Sequence, residues 1–305
     1  MRLPKTARIA LVLMTALGAT TAGAQYAEEP PAWVDTWGGF WIPESIAQPV
    51  GIPPNTDIPG SLTVDTNGEV YVSGYLRTWK FLGDGTPVWN LYHQYFYGVA
   101  LAGPGQVLLS GWSPPLRLID ADGAVVWNRG SLSRYTPSGP SQFGGAFHAD
   151  FDDEGNFFVT DYGWYSSTFS GWRAVHKCSL TSGCTETWGT LGAGDFQFDH
   201  PTGIAYDAVS ESLFIMDSAN HRLKNYTTDG DLIGIWTGIG SANIAGCVGP
   251  EGIAADLFGN IYVADTCNNQ ILKYDPDGHL LTAWGSFGSA AGQLSEPSDV
   301  HVTAD

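Results

Sequence analysis

Two stretches decide the fold: HPTGIAYDAVSESLFIMDSANHRLKNYTTDGDLIGIW, His200 to Trp236, and GPEGIAADLFGNIYVADTCNNQILKYDPDGHLLTAW, Gly249 to Trp284. They align almost position for position, and their closing tryptophans lie 48 residues apart. Each holds four short runs of alternating apolar residues separated by Gly, Asp and Asn turns, the pattern of a four-stranded antiparallel meander. A four-stranded unit repeating every roughly 40–50 residues is the spacing of a propeller blade.

The same grammar runs upstream in weaker form. SLTVDTNGEVYVSGYLRTWKFLGDGTPVW ends at Trp89, GVALAGPGQVLLSGWSPPLRLIDADGAVVW ends at Trp127, and FHADFDDEGNFFVTD leads through CTETW to Trp188. A sixth tryptophan, Trp37 in AWVDTWGG, reads as an outer strand with nothing before it, and EPSDVHVTAD at the other end as an inner strand with nothing after it. The expectation is therefore an all-β, six-bladed β-propeller of four-stranded antiparallel blades. Its last blade joins the two ends and lacks two middle strands, through a truncated sequence or an incompletely filled blade. The tryptophans at equivalent positions read as wedges between blades, since aromatic rings bury large apolar areas.

Arg2, Lys5 and Arg8 precede an apolar run from Ile9 to Ala19 and then Ala22-Gly23-Ala24, the layout of a cleavable secretory signal. Residues 1–24 are expected to be removed before Gln25, leaving 25–305 as the propeller, secreted or periplasmic. Loss of three basic residues takes the net charge from −18 to −21. Such a chain repels phosphate backbones and anionic lipid, which argues against nucleic acid as a partner. The leader run is too short to span a bilayer and no later run supplies a span, so no membrane insertion is expected. With 43% hydrophobic residues, 14% charged and 39 glycines, the composition is that of a folded, turn-rich β protein.

Four cysteines in an exported chain predict disulfides. Cys178 and Cys184 flank a turn between the third and fourth strands of one blade, where antiparallel partners lie close. Cys247 precedes the first strand of the Trp284 blade and Cys267 follows its second, two loops on one face. The pairs 178 with 184 and 247 with 267 are therefore expected; the rival, a zinc site, lacks C-x-x-C spacing.

The strings PTGIAYD, LFIMDSANHRLKNY, PEGIAAD and NIYVADTCNNQILKY resemble the NHL-repeat family, specifically over Pro201 to Pro297 and loosely over Ser61 to Trp188. The resemblance implies a six-bladed propeller without implying one activity. Cys247, Cys267 and EPSDVHV are also similar to the peptidylamidoglycolate lyase branch. That branch's metal-binding histidines have as counterparts here Phe147-His148-Ala149, Pro250-Glu251-Gly252 and Pro297-Ser298-Asp299. The first histidine is displaced by one residue, which strand alternation turns to the other side, and the other two are absent.

Candidate functional residues are those that repeat architecture does not demand. Asp161, Asp217, Asn220, His221, Asp265, Asn268 and Asn269 recur in register and read as turn builders; Arg77, Arg117, Arg173 and Arg222 recur at third strands and read as inter-blade partners of Asp. The insertion DYGWYSSTFSGWR, Asp161 to Arg173, is irregular. It brings Tyr162, Trp164, Tyr165, Phe169 and Trp172 near Tyr75 and Trp112, either as a binding surface or as a loop burying its own rings. His148 with Asp150, and Asp299 with His301, lie two apart on inner strands, so each pair faces the channel together as a candidate base or metal ligand set. No hydrolase elbow, H-E-x-x-H, Walker or dinucleotide fingerprint occurs. Two functions follow: a secreted binding module for a peptide, glycan or protein partner, with no cofactor and leaning away from catalysis, or a metal-dependent lyase or hydrolase using zinc or calcium at the channel mouth.

Overall fold

A computed structural model describes residues 13–15, 59–93, 95–132, 139–163, 173–240, 247–288, 290 and 292–303. It is a β-propeller with five four-stranded antiparallel blades among the described residues. Blade one is Pro59–Val64, Val70–Gly74, Arg77–Phe81 and Pro87–Tyr92; blade two is Phe96–Gly103, Gln106–Gly111, Leu116–Ile119 and Val125–Arg129. Blade three is Ala146–Phe151, Asn156–Asp161, Ala174–Ser179 and Gly183–Trp188. Blade four is Pro201–Asp207, Ser212–Asp217, Arg222–Thr227 and Leu232–Thr237; blade five is Ile253–Ala255, Ile261–Asp265, Gln270–Tyr274 and Leu280–Trp284.

Six blades were expected, the last incomplete; five four-stranded blades are present among the described residues. At the sixth position a single inner strand, His301–Thr303, packs between the first strands of blades five and one. It is tied to them by Gly252 N–H to Ser298 O (3.0 Å) and Leu62 N–H to the Asp299 Oδ2 (3.0 Å). It pairs in parallel with Leu13–Thr15. Trp37, expected on the outer strand of that blade, lies outside the described residues.

Local chemistry explains the repeat. At five turns an aspartate, Asp65, Asp120, Asp152, Asp256 or Asp275, accepts the backbone N–H groups two and four residues on with one oxygen, at 2.8–3.1 Å. The residue three on must take a left-handed conformation, and glycine does so at φ of 77–84° in all five. Second strands such as Ser212–Asp217 are buried along their whole length between neighbouring blades, while outer strands such as Pro87–Tyr92 are largely exposed. The closing tryptophans act as wedges. A Cβ on Gly123, Gly230 or Gly278 would lie 3.2, 3.2 or 2.7 Å from Trp89, Trp188 or Trp236 of the preceding blade. Trp236 packs 5.0 Å from Phe214 and 6.2 Å from Tyr274, ring centre to ring centre, stitching blade four to blade five.

Both expected disulfides are present, Cys178 to Cys184 and Cys247 to Cys267. No helix among the described residues is long and apolar enough to cross a membrane. The recurrent aspartates do build loops: the Asp217 carboxylate holds Asp199 N–H, Asn220 Nδ2 and Arg222 Nε, and that of Asp161 holds the N–H groups of Gly144, Gly145 and Gly163. The expected ring of arginine–aspartate contacts between blades is corrected. Arg222 pairs with Asp217 within its own blade at 2.7 Å, whereas Arg77 and Arg117 reach asparagines of their outer strands. Arg173 points forward, 3.8 Å from Asp199 in the loop to blade four.

Candidate binding face and central cavity

The first strands of all five blades and residues 299–302 enclose a central cavity of about 160 Å³. Register places Ser61, Gly98, His148, Gly203 and Gly252 at one level of the five first strands, each just before the residue that pairs with the middle of the second strand. A Cβ on Gly98 would lie 2.3 Å from Phe147 O, and one on Gly203 2.4 Å from Glu251 O, so glycine is what lets these strands approach. The register slips at this level in blades one to four, between Pro59 and Ser61, Phe96 and Gly98, Ala146 and Ala149, and Pro201 and Ile204, so the bulge belongs to the repeat. His148 and Asp150 both line the cavity.

His148, Asp150, Asp299 and His301 all line this cavity. Burial, opposed by N–H bonds from Tyr206 (2.8 Å) and Phe151 (2.9 Å), pushes the Asp150 carboxyl up to about 6. Asp299 is raised by burial, opposed by His148 and by Leu62 N–H. Burial lowers His148, against the pull of Asp299, and lowers His301 to about 4. Both imidazoles are therefore neutral at pH 7, and the buried His148 Nε2 has no hydrogen-bond partner among the described residues. The four residues do not gather as a metal centre. Among the described residues the one grouping of three such ligand atoms within 4.8 Å of one another is Asp275, Asp277 and His279. That grouping is a hairpin turn whose Asp275 is already engaged by the N–H groups of Asp277 and His279 and by the His279 ring.

Beside His148, on which Phe147 stacks at 4.8 Å, lies a continuous chain of rings supplied by three blades. Tyr75 meets Tyr95 edge-on at 4.8 Å and Tyr97 at 6.3 Å; Tyr97 stacks on Phe147 at 5.6 Å; Phe147 meets Tyr162 at 5.4 Å; and Tyr162 lies 6.1 Å from Trp112. Backbone bonds fix it: Tyr95 N–H donates to Tyr75 O (2.7 Å), Trp112 N–H to Tyr95 O (2.9 Å), and Tyr162 N–H to Gly145 O (3.2 Å). Tyr95 takes φ 66°, a left-handed conformation costly for an aromatic residue, and presents its ring to solvent beside Tyr75. Burial, then Tyr75 and Tyr95, pushes the Tyr97 phenol to about 12, and burial also raises Tyr75 and Tyr162. All three stay neutral.

Tyr75, Trp112 and Tyr162 of the sequence candidates are thus brought together. Trp164, Tyr165, Phe169 and Trp172 lie outside the described residues. Sequence reasoning missed Tyr95, Tyr97 and Phe147, although the run QYFYG at 94–98 carries the signal. It also read Glu251 only as a missing histidine. Glu251 precedes Gly252 as Tyr97 precedes Gly98 and Phe147 precedes His148, and burial, then Asp299 and Glu296, pushes its carboxyl up to about 7.

No family model and no curated protein matches the chain. Solved structures do. A chain of a nidogen/laminin complex is 15% identical, covering 81% of this chain and 88% of that one, at a TM-score of 0.57. A streptogramin B lyase is 14% identical over 82% and 74%, at 0.56. XC5397 from Xanthomonas campestris, described as a gluconolactonase, is 16% identical over 76% and 74%, at 0.56. At these identities the likeness establishes the propeller fold alone, and these neighbours include both a binding module and enzymes.

Proposed function

We propose that this protein is a secreted, NHL-type binding propeller that takes a peptide, glycan or protein partner on the face where the ring chain borders the cavity mouth. The observation that carries the reading is the unbroken run from Tyr75 to Trp112, assembled from three separate blades. Wedges explain the outer-strand tryptophans, but none of these six rings lies on an outer strand, and Tyr75 and Tyr95 are exposed. Rigid aromatic rings on a fixed scaffold supply contact area at low entropic cost, which suits recognition. The two disulfides fit an oxidising compartment, and the inner strand at the sixth position fits a ring of six.

The test uses glycan and peptide arrays probed with the full chain and with Tyr75→Ala and Trp112→Ala variants of unchanged circular dichroism. Signals present for the wild type and lost in both variants support the reading; signals indifferent to both refute it. A second reading, a metal-dependent lyase or hydrolase, rests on the unpartnered His148 Nε2 in a cavity with two carboxyls. Stoichiometric zinc or calcium surviving dialysis, and lost in His148→Ala, would favour it over the first.

A further inference from the structure

We propose a second binding site, for an organic acid with one carboxylate and an apolar body, in the pocket that Arg129 of blade two shares with side chains of blade three. It is independent of the binding reading above, since none of its lining residues lines the central cavity or belongs to the ring chain.

Arg129 is the residue that calls for a ligand. It ends the outer strand of blade two, opposite Leu116, and its guanidinium carbon lies over the Trp127 ring, 4.6 Å from the ring centre. That contact holds the guanidinium but uses none of its N–H donors. The Nη1 is buried without a hydrogen-bond partner, and Arg129 forms no ion pair among the described residues. The four other described arginines each have a side-chain partner, an aspartate for Arg173 and Arg222 and an asparagine for Arg77 and Arg117. In a chain with 31 acidic residues against 13 basic ones, a guanidinium without an acidic partner is an exception. Withdrawing its N–H groups from water costs desolvation that only an acceptor offsets.

The pocket that Arg129 lines has a volume of about 210 Å³. Its apolar part is made by Leu116, Phe143 and Phe157, all fully or almost fully buried, and by Cys184 of the disulfide to Cys178. Ser141 and Ser182 add hydroxyls. The Ser182 Oγ lies 2.7 Å from the Ser179 Oγ, so it can accept that proton and keep its own for a ligand. These groups set the class of ligand. A guanidinium takes a carboxylate through paired N–H bonds, and the hydroxyls can donate to the same oxygens. The net charge of −18 opposes multiply charged anions, which favours a single carboxylate. The apolar walls give nothing to a bare inorganic anion but reward an aryl or short alkyl body. Size agrees, because an apolar cavity of about 150 Å³ holds one benzene, and this pocket leaves room for a carboxylate besides.

The experiment titrates the full chain by calorimetry with benzoate and hexanoate, with their neutral counterparts benzamide and hexanamide, and with sulfate. At least one acid should bind tenfold or more above its amide, and more weakly as salt rises. Arg129→Met keeps a stem over Trp127 and should cost the acids about tenfold while leaving the amides unchanged; Arg129→Lys, which restores charge without the planar fork, should recover part of the loss. Ser182 lies in an exposed turn, so Ser182→Ala tests the pocket whatever Arg129→Met does to the outer strand, and it should cost about threefold. N-acetyl-phenylalanine identifies the source: binding tighter than benzoate assigns the site to a peptide C-terminus, weaker binding to a free acid, and both bear the inference out. Absence of acid binding, equal binding of acid and amide, displacement of the acids by equimolar sulfate, or acid binding unchanged in both Arg129→Met and Ser182→Ala overturns it.

Discussion

Replacing Asp150 by asparagine should change how the stability of the fold depends on pH, with a sign that follows from the cavity. The folded-state pKa of Asp150 is raised from 3.8 to about 6, chiefly by burial. The folded protein therefore holds a proton between those values that the unfolded chain has released. Stability is fully present below about pH 4 and is lost as pH rises through about 6, a loss of about 3 kcal/mol at 1.36 kcal/mol per unit. His301 opposes this. Its folded pKa is lowered from 6.5 to about 4, so its contribution grows as pH rises over nearly the same window and by a similar amount. Glu251, raised to about 7, and His93, lowered to about 3, titrate over the same window, so the Asp150 contribution is read from the difference between variant and wild type. In Asp150→Asn the falling term is gone, and the difference in unfolding free energy, variant minus wild type, should climb by about 3 kcal/mol from pH 4 to pH 7. The introduced amide can still accept, through its oxygen, the Tyr206 N–H that ties blade three to blade four; its NH₂ then opposes Phe151 N–H, an offset of about 1 kcal/mol that does not vary with pH. Urea unfolding at pH 4, 5, 6 and 7 reads the slope directly. A difference curve flat to within about 0.5 kcal/mol would refute the reasoning, because Asp150 would then titrate as it does in water.

Replacing Cys247 and Cys267 together by serine opens a link of sequence separation 20 and should lower the unfolding free energy by about 3 kcal/mol, against about 2 for Cys178 and Cys184, whose separation is 6; paired denaturant titrations rank them. Trp236→Ala should cost about 3 kcal/mol by emptying the wedge between blades four and five, measured as a lowered midpoint of thermal unfolding. Gly252→Ala places a methyl 2.1 Å from Asp299 Oδ1 and 2.5 Å from its Cα, so the sixth inner strand must move. Amide exchange over 299–303 should rise by tenfold or more in that variant, while exchange in blades two and three stays as in the wild type.

The blades were legible because each one repeats a short physical programme that sequence displays openly. An aspartate followed three residues later by glycine marks the turn, an apolar alternation marks the strands, and a tryptophan marks the outer edge. The cysteine pairs followed once the strands were in register. The cavity was legible only in part. The spacing of two between His148 and Asp150, and between Asp299 and His301, is what suggested that each pair shares a face, and all four residues line the cavity; the bulge at 146–149 is not visible in the spacing. The ring chain was missed where it matters most. Tyr97 and Phe147 sit on inner strands, not in the loops where exposed aromatics are usually sought, and Tyr95 joins them through a left-handed conformation that sequence gives no reason to expect. The sixth blade was read as lacking two middle strands, and among the described residues its position holds one inner strand, His301–Thr303, paired with Leu13–Thr15.

The repeat also separates what the scaffold needs from what it merely tolerates. At the level where Gly98, Gly203 and Gly252 let neighbouring strands touch, blade three carries His148 and the sixth strand's approach carries Asp299. Two residues further along, where blades two, four and five have Ala100, Ala205 and Ala254, the same two strands carry Asp150 and His301. Three blades thus show that glycine and alanine suffice for closure. Burying a histidine and an aspartate instead costs desolvation, visible in the raised carboxyls and lowered imidazoles, and returns no packing that the small residues fail to provide. The two strands are three positions apart in the ring, on opposite sides of the cavity, and they carry the pair in reverse order. Each level therefore sets one imidazole across from one carboxyl. A polar axis built against the grain of the scaffold, beside a run of rings that the scaffold equally does not require, is where the proposed binding reading puts its site.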